Sequence, residues 1–306
     1  MLVRREAILF ELESSYRDST TADASDAVFV FDQSWQNEAK TLQRQGPSDT
    51  LASFQTVYGG RTATISFKVE LKGSGAAGTA PEFSKLLQCC GISETISAGV
   101  SVTYKPDTTA IPSGVLYYYQ DGKLRIMRGV RGNAKFVLQA REYGHIEFTM
   151  TGHPIAETDT AIVDPTYSAV IPPQVVGGAV AVGGTSIEVT KVEIDLTNEI
   201  AKPESINEAN GVGEIRIASR DVSGMIDPEG ELVATRPFEA DWESNTTRSF
   251  TTGAIGSTAG NIYTIPSAAM YLKDLQDSDR EGIRTNDIQV GFKESSGDDE
   301  ISVVFT

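Results

Sequence analysis

The 306-residue sequence has few residues of the kinds that carry chemistry. It contains two cysteines, Cys89 and Cys90, and two histidines, His145 and His153. Neighbouring cysteines cannot join distant parts of a chain, so the sequence excludes a secreted, disulfide-based framework and favours a reduced compartment. A serine or cysteine nucleophile needs a base beside it, and two histidines offer few such pairs.

We interpret these four side chains as structural. His145 alternates with Ile146 on the polar face of a predicted strand, and His153 lies at a strand end, so both are expected to be solvated. The cysteines end a predicted helix, where the negative end of the helix dipole raises a thiol pKa and opposes activation. We therefore predict buried packing for the cysteines, no catalytic residue and no enzymatic activity.

Positive charge and long apolar runs are scarce as well. Lys and Arg number 26 against 42 Asp and Glu, which gives a net charge of −16. A surface this acidic disfavours phosphate binding, because nucleic-acid sites need a basic face. Near the N-terminus only 7–10 are consecutively apolar, too short for a signal peptide, and no run is long enough to span a membrane. We expect the protein to stay in the cytosol or to leave by lysis.

Metal and phosphate motifs are weak. Four acids before Gly282 raise the possibility of a calcium loop, but their spacing departs from the EF-hand order and favours a solvated acidic turn; they are Asp274, Asp277, Asp279 and Glu281. The glycine-rich stretch 177–184 has no lysine and opens no helix, so it is not a phosphate loop. We predict no metal and no cofactor.

What the sequence does contain is β-type alternation, and it occurs twice. Segments 131–150 and 281–305 each spell two alternating strands joined by a polar turn with glycine. Phe136 and Ile288 are 152 positions apart and Ile146 and Ile301 are 155 apart, while strand 63–71 has a similar counterpart at 213–222. We infer a duplicated antiparallel β domain: a first domain at 1–157, a Pro/Gly-rich linker at 158–184 and a second domain at 185–306.

Between these segments the signals are more local. Strands are predicted at 7–12, 27–31, 100–104, 115–119, 123–127, 186–196 and near Ile262 and Met270. The spelling Thr79-Ala80-Pro81-Glu82 is a capping box that opens a helix ending at Gly91. Segment 32–56 shows no sustained period, so we expect a long loop that is either flexible or ordered by a partner.

Several of these segments resemble the major tail proteins of long-tailed bacteriophages, which stack as rings into a tail tube. They are RTATISFKVELKGSG at 61–75, PEFSKLLQCCG at 81–91, the hairpin at 117–128, REYGHIEFTMTG at 141–152 and the closing strands. The resemblance implies two tandem antiparallel β-sandwich or partial-barrel tail-tube domains, the first flanked by an α-helix. No counterpart of that helix is evident in the second half.

The resemblance also implies partners and a location. A chain with two tube domains is expected to form homotrimeric, pseudo-sixfold rings that stack into the tail of the virion after assembly in the host cytoplasm. Tape measure, tail-tip and tail-terminator proteins are further candidate partners, and double-stranded DNA would pass through the channel without binding.

Electrostatics suggests which residues serve that channel. Because acidic walls repel phosphate, candidate lumen-facing residues come from the polar faces of the strands, although ordinary surface charge explains them equally well; they are Glu70, Glu147, Asp287 and Glu300. Candidate contacts to the next ring lie on the excursion 32–56; they are Trp35, Gln36, Leu42 and Arg44.

A non-enzymatic binding module is the alternative. A capsid decoration or a tail-tip protein that binds a receptor or carbohydrate would also be a two-domain β-sandwich. It needs a cluster of exposed aromatic side chains, and Tyr117, Tyr118 and Tyr119 form the one such cluster. Strand alternation is expected to bury one or two of them.

Overall fold

A computed structural model describes residues 2 and 4–306, with 49% of the chain in strands and 5% in helices, and its sheets are antiparallel. The first half contains β1 (Glu6–Leu12), β2 (Ala27–Val28), β3 (Val30–Leu42), β4 (Val57–Glu70), α1 (Ser84–Cys89), β5 (Ile92–Ser97), β6 (Ser101–Pro106), β7 (Gly114–Gln120), β8 (Lys123–Gln139), β9 (His145–Pro154) and β10 (Thr158–Asp159). The second half contains β11 (Ala181–Val182), β12 (Thr185–Ser186), β13 (Val189–Asp195), β14 (Asn198–Ala201), β15 (Arg216–Arg220), β16 (Ser223–Pro228), α2 (Phe238–Glu243), β17 (Arg248–Thr251), β18 (Tyr263–Thr264), β19 (Pro266–Arg280), β20 (Ile283–Phe292) and β21 (Val303–Phe305).

Eight strands of a 15-stranded sheet lie side by side in one continuous series, which we call the ribbon. Their order across the ribbon is β3-β4-β9-β8-β13-β16-β20-β19, so the first four come from the first half and the last four from the second. The halves meet where residues 135–139 of β8 pair with 191–195 of β13. The mainly antiparallel β architecture predicted from the sequence is confirmed.

Each half of the ribbon has the same strand order. Across the sheet, each half presents the strand that is first in the chain, then the second, the fourth and the third. The series is β3, β4, β9, β8 in the first half and β13, β16, β20, β19 in the second. Helix α2 lies between the second and third of these strands, as α1 does in the first half. No counterpart of the first helix was evident in the sequence of the second half, but α2 occupies the corresponding place in the order of elements.

The strands that correspond differ from those matched by sequence spacing. By strand order β9 corresponds to β20, and β4 corresponds to β16 rather than to 213–222. The two closing strands are not neighbours in a sheet, because β21 pairs with β18 and with β6 of the first half instead of β20. Alternation identifies buried positions, but it does not specify which strand lies alongside.

One hydrophobic core extends under both halves. The alternating positions predicted to point inward are buried, among them Phe136, Ile146, Phe148, Ile288 and Val290. A smaller cluster lies on the other side of β1 and β7. The ribbon therefore has one face on the main core and one polar face.

The predicted linker 158–184 is hydrogen-bonded to both halves of the chain. The Thr166 amide donates to the Ala24 carbonyl at 3.0 Å, and the Asn261 side-chain amide donates to the Ile171 carbonyl at 2.9 Å. Short strands β10 and β11 at its ends join the sheet. The division into domains at 1–157 and 185–306 stays a prediction.

Two local predictions are wrong. The first part of the excursion 32–56 is a strand, since β3 runs to Leu42 and pairs with β4 to form a long hairpin, which we call the arm; residues 43–56 connect the two strands without helix or strand. Helix α1 begins at Ser84 with no side-chain cap, because Glu82 binds Lys72 at 3.5 Å and the Ser168 amide at 3.2 Å instead of closing a capping box. The left-handed stop at Gly91 is confirmed, with φ of 78°.

Candidate assembly surfaces

The polar face of the ribbon extends across both halves. Side chains in register across it include Ser66 and Thr149, whose hydroxyls lie 3.3 Å apart, and Asn133, which donates to Asp195 at 2.7 Å across the junction of the halves. Carboxylates outnumber cations on this face, which carries Glu70, Glu147, Glu193, Asp195, Asp227, Asp287 and Asp274 with Lys68, Lys135, Lys191 and Arg280.

The cations of the polar face are held in ion pairs. Lys135 Nζ lies 2.8 Å from Glu193 Oε2, and Arg280 Nη1 lies 2.8 Å from Asp227 Oδ2. Lys68 Nζ lies between Glu147 at 3.6 Å and Asp32 at 3.3 Å. A cation that is already paired offers little to a passing phosphate, so this face is a poor site for binding nucleic acid.

The four candidate lumen residues lie in different settings. Glu147 and Asp287 are on the polar face, the first half-buried and the second exposed. Glu70 is on the same face, but it is 3.0 Å from the buried ammonium of Lys72. Glu300 lies outside the ribbon, where Arg220 holds it at 2.9 Å and leaves its side chain 14% exposed.

The arm ends in an apolar tip. Five side chains near the tip are exposed, from 42% for Phe54 to 107% for Leu51; they are Leu42, Leu51, Phe54, Val57 and Tyr58. The arm is exposed on both faces from residue 36 to 58, which explains why its sequence has no hydrophobic period. Grouped exposed apolar side chains of this kind mark a contact site for another protein surface.

The candidate inter-ring residues divide along the arm. Gln36, Leu42 and Arg44 are exposed, whereas Trp35 is half-buried against its own chain. Its ring stacks on Tyr118 with centroids 6.1 Å apart, and the Arg125 guanidinium lies 5.5 Å from its centroid.

The arm also contacts the second half of the chain. Lys40 Nζ lies 2.6 Å from Glu204, and Lys202 binds Glu38. At Gly60, φ is 100° and an added Cβ would lie 1.9 Å from the Asn210 carbonyl oxygen. These contacts fix the base of the arm beside loop 202–212, with a groove of about 780 Å³ between them.

A buried polar cluster joins the same loop to the first half. Tyr16 accepts a hydrogen bond from the Ile215 amide at 2.7 Å, and its hydroxyl lies 2.9 Å from His153 Nε2. His153 is 3% exposed, so the predicted solvated position is wrong; it was missed because residues 210–215, which cover it, are distant in sequence. Burial, reinforced by the Arg17 charge, lowers the pKa of His153 to about 4.

The other side chains considered for chemistry are accounted for. Cys89 and Cys90 are fully buried, which confirms their predicted packing, and burial raises both thiol pKa values. His145 is half-buried beside Glu147 at 3.6 Å, and burial lowers its pKa. Across residues 2 and 4–306, no group of His, Cys, Asp and Glu side chains is arranged to hold a metal ion.

The tyrosine cluster is buried completely rather than in part. Tyr118 packs in the main core, while Tyr117 and Tyr119 pack in the smaller cluster on the opposite side of β7. Because both faces of β7 are covered, these rings form no exposed aromatic site for a carbohydrate or receptor. The described part of the chain contains no helix with the length and apolarity to cross a membrane.

Comparisons with known proteins bear on the whole chain. A family model described as "Phage tail tube protein" matches residues 7–303. A search of curated proteins finds no match to the chain. The matched span includes every strand of the ribbon, the arm and both helices.

Proposed function

The chain belongs to the phage tail tube protein family and is a structural tail protein; from that premise we propose that it polymerises into stacked rings whose channel conducts DNA to the host. The family implies self-assembly into a tube in the virion tail. The finer proposal is a homotrimeric ring with pseudo-sixfold symmetry, assembled in the host cytoplasm.

The observation that carries this proposal is the ribbon. One chain supplies two four-stranded units of identical strand order, already joined side by side through β8 and β13. Two equivalent units per chain turn a threefold ring into a ring of six similar units. Symmetric closure also covers strand edges that would otherwise pair without control.

The polar face is proposed to line the channel. Its carboxylates outnumber its cations, and the cations are held in ion pairs, so duplex DNA would be repelled rather than retained. Glu147 and Asp287 are the candidates with the most accessible positions on this face. Glu70 and Glu300 are weaker candidates because their carboxylates are bound by Lys72 and Arg220.

The arm tip is proposed to contact the next ring. It groups five exposed apolar side chains, and burial of a Leu or Phe side chain contributes about 2 kcal/mol. Gln36, Leu42 and Arg44 belong to this proposed surface, whereas Trp35 mainly fixes the arm to its own subunit. Tape measure, tail-tip and tail-terminator proteins are proposed as further partners of the tube.

Electron microscopy of the purified protein tests the proposal. Stained samples taken over a range of concentrations, with and without added salt, should show rings, stacks of rings or tubes. Single particles of one subunit at every concentration and salt condition would contradict self-assembly of this chain into a tube.

A further inference from the structure

We propose that His153 is a pH-sensitive latch: its neutral ring holds loop 202–215 against the base of the arm, and protonation of the ring releases the loop. Loop 202–215 is the loop 202–212 described above together with the residues that lead into β15. Both ring nitrogens of His153 are hydrogen-bonded. Opening of the loop is a property of the single subunit, whereas its effect on ring stacking rests on the proposed function.

The hydrogen bonds around His153 fit a neutral ring that carries its proton on Nε2. The side-chain oxygen of Asn210 accepts from the Val212 amide at 3.2 Å, which turns the Asn210 NH2 group toward the ring. That group donates to His153 Nδ1 at 2.8 Å, so Nδ1 is an acceptor. Nε2 lies 2.9 Å from the Tyr16 hydroxyl, which also accepts from the Ile215 amide.

A second proton on the ring is incompatible with this arrangement. It would sit on Nδ1 and point at the NH2 group of Asn210, so that two donors would face each other. Turning the Asn210 amide round would bring its NH2 group against the Val212 N–H instead. Because a buried donor without an acceptor is unfavourable, the charged ring favours a structure in which Asn210 has moved away.

The charges around the ring oppose protonation while the loop is closed. Burial and then the Arg17 charge lower the pKa of His153, and the opposing effects of the Gly213 backbone and the Glu208 charge are smaller. The Glu208 carboxylate is already paired with Arg17 at 2.7 Å. The other charged groups on the surrounding loops and strands are Glu13, Arg61, Arg128, Arg131 and Glu214. The ring therefore takes up a proton when the loop opens and water reaches it.

Asn210 connects the ring to the base of the arm. Its side chain binds His153, and its carbonyl oxygen lies against Gly60 of β4, where an added Cβ would be 1.9 Å away. On the same loop Lys202 binds Glu38 of the arm, and this hydrogen bond lowers the pKa of Glu38, so that the pair keeps its charges in mild acid. A change in the loop near pH 5 should therefore begin at His153 and remove one support of the arm.

The size of the effect follows from the two states of the ring. With the loop open, the pKa of His153 should return to its ordinary value of 6.5, against about 4 with the loop closed. The closed form is fully favoured above pH 6.5, and this advantage is lost as the pH falls toward 4. Between pH 7.5 and pH 5 the equilibrium should shift toward the open form by about 25-fold.

Amide hydrogen exchange of the unassembled subunit measures the opening. In the wild type, exchange rates in loop 202–215, corrected for the direct effect of pH on amide exchange, should rise by about 25-fold from pH 7.5 to pH 5. Amides that pair β4 with β9 should stay protected at both pH values. Corrected rates in the loop that change by less than about threefold would overturn the proposal.

Two variants separate the ring of His153 from a general effect of acid. Gln at position 153 keeps a donor and an acceptor but cannot become charged, so His153→Gln should abolish the pH dependence of exchange in the loop. His145→Gln, on the same strand β9, should retain the wild-type shift. Equal shifts in the two variants would overturn the assignment to His153. The wild-type measurement needs neither variant to fold.

Electron microscopy at the same two pH values tests the effect on stacking. Wild type and His145→Gln should form fewer or shorter stacks at pH 5, whereas His153→Gln should form them equally at both; the fall in net charge near pH 5 is shared by all three. Equal stacking of the wild type at both pH values, with its loop open at pH 5, would overturn the link between loop and arm. Absence of rings and tubes at both pH values would contradict the proposed function, and hydrogen exchange would still decide whether the loop opens.

Discussion

Lys135 Nζ and Glu193 Oε2 lie 2.8 Å apart and connect the two halves of the chain across the middle of the ribbon. Lys135 is on β8 and Glu193 on β13, the strands whose pairing joins the two four-stranded units. Burial lowers the pKa of Lys135, but the hydrogen bond and charge of Glu193 outweigh it, and the pKa is raised. Loss of this ion pair should therefore destabilise the junction between β8 and β13.

Lys135→Glu should destabilise the folded chain by about 2 kcal/mol, because it places a carboxylate beside Glu193 in a partly buried site. The double variant Lys135→Glu with Glu193→Lys should recover part of this loss. Denaturant titrations measure both. Lys273→Glu, which breaks an exposed pair with Asp221, is the control and should cost less than about 1 kcal/mol.

The folded chain should become less stable as the pH is lowered, because of His153. Its folded pKa of about 4 lies below the ordinary value of 6.5, so the unfolded chain binds the proton more readily. The stability is fully present above pH 6.5 and is lost as pH falls toward 4, by about 2 kcal/mol between pH 7.5 and pH 5.

The check compares unfolding free energies of wild type, His153→Gln and His145→Gln at those two pH values. His153→Gln should remove most of the extra loss at pH 5, whereas His145→Gln should retain it. Equal pH dependence in wild type and His153→Gln would show that the buried imidazole is not responsible.

Arg131 should be more important to stability than its neighbour Arg216. Arg131 is 11% exposed and donates to Glu214 at 2.9 Å, the Ile215 carbonyl at 2.6 Å and the Ile111 carbonyl at 3.0 Å. Arg131→Met removes the side-chain donor to the Ile111 and Ile215 carbonyl oxygens and should cost about 3 kcal/mol. Arg216→Met breaks an exposed pair to the same Glu214 and should cost less than about 1 kcal/mol. Similar losses in thermal melts would contradict this assignment.

Substitutions at the tip of the arm should impair assembly without affecting folding, whereas substitution of Trp35 should lower stability. Leu51→Ser with Phe54→Ser changes only exposed side chains, so the melting temperature should stay within about 2 °C while tubes become rare or short. Trp35→Ala should lower stability by about 2 kcal/mol through loss of its stacking on Tyr118. Normal tube lengths in the tip variant, measured by electron microscopy, would rule out the tip as an inter-ring contact.

Reversing charge on the polar face should make the channel retain DNA. Glu147→Lys with Asp287→Lys adds cations where the duplex is proposed to pass, so tubes of this variant should bind duplex DNA with an affinity that falls as salt rises. Glu239→Lys with Glu243→Lys makes the same change in net charge at exposed positions of α2, whose Phe238 packs in the main core and not on the polar face. Equal DNA retention by the two variants in filter-binding assays would contradict a channel lined by the polar face.

The sequence predicted those parts of the fold where each face of a strand has one environment. Strands β8 and β9 alternate cleanly because one face packs on the core and the other is polar, and Phe136, Ile146 and Phe148 were identified on that ground. The arm escaped prediction because residues 36–58 are exposed on both faces, which removes the alternation. A strand without a buried face has no hydrophobic signature.

Contacts between residues far apart in sequence account for the remaining differences between the predicted and the observed structure. Glu82 was expected to cap a helix, but the buried ammonium of Lys72 and the Ser168 amide, both outside the helix, bind it instead. The spacing predicted a duplicated domain, but it matched strands that do not correspond in strand order, because any alternating strand resembles any other. The polar face depends on how strands from both halves lie in register, which no local pattern specifies.

The central claim is that ribbons from neighbouring copies join into a closed, polar-lined cylinder. A cryo-electron microscopy reconstruction of the assembled protein measures this directly. The account predicts three copies per ring, ribbons of neighbouring copies in contact, and Asp287 facing the channel. Six copies per ring, or rings whose ribbon edges remain apart with the polar face outward, would contradict it.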